Sequence, residues 1–224
     1  MTIPIYLEVG KSKTIAGALD WPGWCRSGAD EPAALQALHD YRMRYARALA
    51  SAGADFQPPA QISDLAVVER LAGNATTDFG APGMAPAEDG QPVTPSGLER
   101  HLKILRACWQ AFDQAAELAA GRELRKGPRG GGRELAKIVE HVYEVDEAYL
   151  KALGGKPQPR SGLELTAAFA RLRREMEDAL AAAVRGEIAP RGPRGGLRWS
   201  PRYFVRRQAW HELDHAWEIE DRVE

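Results

Sequence analysis

Near the end of the chain, His211-Glu212-Leu213-Asp214-His215 places two imidazoles four positions apart, so on a helix both point to one side. The run also reads as H-E-x-x-H, the helical zinc signature of metallopeptidases. Such a site needs a third protein ligand. A metzincin would continue with Gly at 218 and His at 221, where this chain has Glu218 and Asp221. A Glu ligand from a later helix has no helix to sit on, because only residues 216–224 follow. The peptidase reading therefore weakens, Glu212 reads as a solvent-facing helix residue, and the third ligand is sought upstream.

A second chemical signal is a repeated basic loop, "KGPRGGGRE" at 126–134 and "RGPRGGLRW" at 191–199, each just before a helix. If the two copies meet, Arg129, Arg133, Arg194 and Arg198 form a rim beside two helix N-termini, whose free amides favour an anion. Between Ile188 and His211 there are six arginines and no acid, whereas Glu212 to Glu224 holds six acids and one arginine. That is the reverse of what a helix dipole prefers. The alternatives are that these arginines pair with Glu187, Asp78, Glu88 or Asp89, or that the glycine-rich loops are only tight turns. Gln208, one turn before His211, and Asp113, with Trp109 on the first long helix, are candidates to hold a water or substrate oxygen. Asp214 and Glu218 could orient ligand imidazoles. Cys25 lacks an identifiable base and reads as inert.

The elements that must position these groups fall into two halves. Residues 1–72 read as a small strand-strand-helix(-strand) region: "IPIYLEV" alternates, "KTIAGALDW" follows after a turn, a helix starts after Asp30, and "LAVVERL" makes a further strand. "WPGWCRSGADEP" between them reads as a turn-rich loop. Residues 73–95, rich in Gly and Pro, read as a loop or linker. From 96 onward the pattern is helical, with capping boxes at Ser96/Glu99 and Ser161/Glu164 and a start at Ser200-Pro201. Helices are expected at 96–120, 133–153, 162–186 and 200–223. The fold class is thus α+β, with an up-down-up-down four-helix bundle at 96–224. In such a bundle the second and fourth helices run in one direction. His141 then lies about 12 Å from its helix start, and His211 and His215 about 17 and 23 Å from theirs. The levels are close enough for one ion, and three neutral imidazoles suit zinc or nickel with positions left open. The alternative is three histidines hydrogen-bonded in a core.

One His on the second helix with His-x-x-x-His on the fourth resembles the DinB-like superfamily of metal-binding four-helix proteins. That resemblance implies His141, His211 and His215 as ligands of a divalent metal, and a thiol-dependent transferase or isomerase as one class of activity. The first 55 residues distantly resemble the HicB antitoxin domain through Trp21-Pro22-Gly23 and the helix that follows.

Net charge is −1, so nothing in the bulk composition draws the chain to nucleic acid, although Trp199, Tyr203 and Phe204 interleave with arginines. Two cysteines, no signal-peptide pattern and no apolar run of spanning length fit a soluble cytoplasmic protein. Two functions follow. One is a metal-dependent enzyme activating a water or low-molecular-weight thiol for transfer to, or hydrolysis of, a small anionic substrate, as a monomer or homodimer. The other is a metal-stabilised binding or regulatory protein without turnover.

Overall fold

The computed structural model describes residues 2–126 and 132–224. The alternating N-terminal run forms strand β1 (Ile3–Val9), paired antiparallel with β2 (Thr14–Ala18), which pairs antiparallel with β3 (Cys25–Gly28). Strand β4 (Leu65–Ala72) lies parallel to β1, giving the order β3-β2-β1-β4. The expected hairpin and later strand form. The segment read as a turn-rich loop holds β3 as well, because Trp21-Pro22-Gly23-Trp24 turns tightly enough to start a strand. Gly23 takes φ 93°, and a Cβ there would meet the Ala209 Cβ at 3.0 Å, so glycine is needed twice over. The parallel β1–β4 pairing requires a crossover, supplied by α1 (Glu31–Asp40), capped by Asp30, and α2 (Arg42–Leu49). Residues 73–95, expected as a loop, carry α3 (Ala75–Phe79), capped by Asn74, and a 3-10 turn at Ala87–Gly90.

Four long helices follow: α4 (Pro95–Leu118), α5 (Leu135–Leu153), α6 (Leu165–Val184) and α7 (Pro201–Arg222). Ser200 caps α7 as read, accepting from the Tyr203 amide. Thr94 rather than Ser96 caps α4, and Glu164 at the start of α6 makes no side-chain cap bond.

The directions differ from the expected up-down-up-down order. The Trp199 amide donates to the Ala152 carbonyl at one end, and the Arg125 amide donates to the Arg222 carbonyl at the other. Gln208 meets Asp146, and Arg207 meets Tyr149. Helices α5 and α7 therefore run antiparallel. Arg106 meets Glu177 and Asp113 meets Arg173, so α4 and α6 are antiparallel too. The order is up-down-down-up. Its cause is the connection 154–164, whose 11 residues reach at most about 36 Å when extended, more than the roughly 28 Å length of α5. It runs back along the bundle, fastened by Arg160 to Glu140 at 2.6 Å and by Arg171 to the Pro159 carbonyl at 2.9 Å.

Sheet and bundle share one apolar core, in which Ile5, Leu7 and Trp24 join Ile104, Phe112, Ile138 and Phe204. Helix α7 lies between them, and most of its residues are buried. Arg206 reaches out of α7 to Asp89 through two bonds of 2.8 and 2.7 Å, and to the Ala18 and Leu19 carbonyls. No helix among the described residues is long and apolar enough to cross a membrane.

Asp89 has no exposure, so Asp89→Ala leaves a buried cation without its counter-charge. Losing one partner of a buried pair costs about 3–5 kcal/mol. A urea titration should show a loss of that order for Asp89→Ala. A change under about 1 kcal/mol would mean that this pair does not hold the 73–95 segment to α7.

Candidate metal centre

The helical spacing of His211 and His215 sets both rings on the α7 face that meets α5, where His141 faces them. Ring centroids lie 4.6 Å apart for His211 and His215, 5.1 Å for His141 and His215, and 5.4 Å for His141 and His211. One ligand nitrogen from each falls within 4.8 Å of the others. The antiparallel arrangement explains the match in level. His141 is six residues from the start of α5 and His215 seven from the end of α7, about 9 and 10.5 Å along adjoining ends.

His211 and His215 are buried and His141 is half-buried. Burial pushes the His141 ring below its ordinary value, helped by Arg133 and then His215. The same cause acts more strongly on His211, with His215 and His141 next. Both are thereby held in the neutral form that binds metals. The His211 Nδ1 atom is buried and meets no partner among the described residues. A buried ring nitrogen without a partner is what a purely hydrogen-bonded core would avoid. The three residues fit a divalent ion, with at least one further coordination position for water or a small ligand.

His215 is oriented by Glu218, 2.9 Å from its Nδ1, which leaves Nε2 for the site. The His215 contact, with Arg222 behind it, holds the Glu218 carboxyl below the usual range. Asp214, read as a similar support, instead pairs with Arg26 at 2.8 Å and fastens α7 to the sheet.

Beneath the histidines lies a buried polar group that the sequence reading missed. Gln208 Nε2 donates to Asp146 Oδ1 at 2.7 Å and to Glu212 Oε1 at 3.1 Å. Glu212, read as solvent-facing, is completely buried, because it sits one position round the helix from His211 and turns into the bundle. Burial, reinforced by Asp146, pushes its carboxyl well up, and burial lifts Asp146 to about 6. Both carboxyls are thereby biased toward their protonated forms. Asp113 is remote from the rings: it is exposed, clamps Arg173 at 2.6 and 2.9 Å, and reaches Glu212 only through it. Trp109 packs near Arg173, not at the histidines.

The arginine rim does not assemble. Arg133, at the start of α5, meets the end of α7, where its carbonyl accepts from Arg222. Arg194 is exposed and Arg198 half-buried at the other end of α5, where a bridge between Arg191 and Leu197 makes the 191–199 loop a tight turn. Arg198 donates to the Ala189 carbonyl. Arg129 lies outside the described residues. Cys25 is buried, and that burial pushes its thiol up to about 12, which fits an inert side chain.

Because the carboxyls of Glu212 and Asp146 are raised in the folded chain, the stability they contribute is full below the ordinary carboxyl range and is lost as pH rises through their folded values. His141 and His211, whose ring values are lowered, act oppositely, losing stability below about pH 6.5. Comparing metal-free wild type with Glu212→Gln isolates the first effect. The variant should gain on wild type by about 1 kcal/mol or more between pH 4.5 and 8 in urea titrations. A difference independent of pH would show that Glu212 carries no extra proton.

Comparison with curated proteins and with solved structures gives no match. The family model of the DinB superfamily matches residues 104–219, more than half of the chain and the stretch that supplies all three histidines. The chain belongs to the DinB superfamily, whose members typically bind a metal.

Proposed function

We propose that the chain is a cytoplasmic, divalent-metal-dependent enzyme that activates a water or a low-molecular-weight thiol for transfer to a small anionic substrate. The observation that carries this reading is the convergence of His141, His211 and His215, with a buried His211 nitrogen left without a partner. Zinc or nickel suits the all-imidazole donor set. The ion, when bound, supplies Lewis acidity that lowers the pKa of a water or thiol toward neutrality.

The chain's own residues do the rest. Glu218 fixes the tautomer of His215, and Arg222 fixes Glu218. Gln208, tied to Asp146 and Glu212, is fully buried and holds α5 against α7 from the inside. It therefore positions the site instead of touching a substrate. His141 is the most exposed of the three ligands, so access is from its side. Hydrolysis and thiol transfer share this geometry, and the family resemblance favours the thiol. A scaffold without turnover is the rival, because the same three rings would staple α5 to α7.

Elemental analysis should find about one zinc or nickel per chain, and His211→Ala should weaken metal binding at least tenfold. Wild type purified and dialysed against zinc without retaining it would end the metal reading. Cobalt-substituted protein whose visible spectrum responds to an added thiol supports the enzyme; an unresponsive four-coordinate spectrum supports the scaffold. Since the ligands bind as neutral rings, zinc loading at limiting metal should fall as pH drops below about 6.5. Loading unchanged down to pH 5 would point away from these imidazoles.

A further inference from the structure

Arg207 precedes His211 by one helical turn, so Arg207, His211 and His215 form a single stripe of α7. Its exposure is 9%, yet its guanidinium makes one hydrogen bond, from Nη2 to the Tyr149 hydroxyl at 2.7 Å. Nε and Nη1 are buried and meet no acceptor among the described residues, and no described carboxylate lies within 4.0 Å of it. Three aromatic rings wall it in: Trp210 at 5.2 Å, Tyr149 at 5.3 Å and Trp199 at 5.9 Å from Cζ. The Tyr149 ring lies in turn 5.7 Å from that of His211. The cation is thus one side chain away from the three imidazoles.

Its neighbour shows that this lack of acceptors is specific. Arg206 is buried too and is fully engaged by Asp89 and two carbonyls. The fold can satisfy a buried arginine and leaves Arg207 with free donors. Glu8 feels Arg207 from beyond ion-pair distance, but burial pushes the Glu8 carboxyl up, and Thr77 and Gly83 already hold one of its oxygens. A guanidinium with unused donors matches the two oxygens of a carboxylate. Among the described residues no other guanidinium lies over these three rings, which favours a monoanion over a phosphate dianion.

We propose that Arg207 is the receptor for the substrate's anionic group, and that the substrate is a small carboxylic acid seated among Tyr149, Trp199 and Trp210 with its other end toward His211. This replaces the rim of surface arginines as the anion site, and it rests on the metal-centre reading only for what that other end meets. Tyr149 is a positioning residue, because its hydroxyl holds the guanidinium.

The test is a titration of zinc-loaded and of metal-free protein with 3-mercaptopropionate and with 3-mercapto-1-propanol, followed by tryptophan fluorescence. In zinc-loaded wild type the acid should bind at least tenfold tighter than the alcohol. Arg207→Gln should bring the two within about twofold while still taking up one zinc, and Arg207→Lys should keep an intermediate preference. Equal affinities in wild type, or a preference that survives Arg207→Gln, overturn the proposal, and the wild-type comparison stands even if a variant fails to fold. Failure of the metal reading looks different: no zinc is taken up, yet the metal-free protein still prefers the acid.

Discussion

The sheet, the bundle and the three histidines all depend on a helix that is buried on nearly every side while carrying charge. Phe204, Val205, Leu213, Trp217 and Ile219 of α7 are buried, each worth roughly 1.5–3 kcal/mol. That gain is at risk wherever a charge goes in unpaired, since an isolated buried ion costs several kcal/mol. Each charged or polar stripe of α7 has therefore a dedicated neighbour. Arg206 faces Asp89 and the sheet. Gln208 and Glu212 face Asp146 inside the bundle. His211 and His215 face His141. The antiparallel pairing with α5 makes the last two sets coincide in level, so the metal-binding geometry and the packing are one constraint.

The reversed charge gradient along α7 then acquires a plain cause. A basic first half and an acidic second half oppose the helix dipole by some tenths of a kcal/mol per charge. Arg202 and Arg206 pair with Glu88 and Asp89 in the 3-10 turn, while Asp214 pairs with Arg26 of β3, and Glu220 and Asp221 pair with Arg44 of α2. The N-terminal region supplies the complementary sign at each end. Removing one partner of a buried pair such as Arg206–Asp89 costs about 3–5 kcal/mol, several times the dipole cost. The gradient is a register for docking the sheet and its connections onto α7, and Arg207, which has no such partner, is the member of the series left for something else.

Much of this was legible in the residues, and the failures have one origin. An i, i+4 histidine pair defines a face of a helix, four apolar periods define four helices, and Ser200-Pro201 places the start of the last; all are local. Helix direction depends on how far a connection reaches. The 154–164 link contains two prolines and carries no strong periodicity, so its length was the one signal that it could span the bundle. The gap of roughly 5–11 Å between histidine levels in the parallel arrangement was a second signal, because head-to-tail pairing removes it. Strand β3 was hidden because four residues give too short an alternation to read. The burial of Glu212 was hidden because an amphipathic reading assumes one solvated face, and α7 has almost none.

Glu212 also decides what the H-E-x-x-H match means. In a peptidase the acidic residue must be a base beside the ion. In this chain the glutamate turns away from the imidazoles toward Asp146, and burial keeps its proton on. A protonated carboxyl cannot accept a proton, so the spelling of the motif is shared while its chemistry is not.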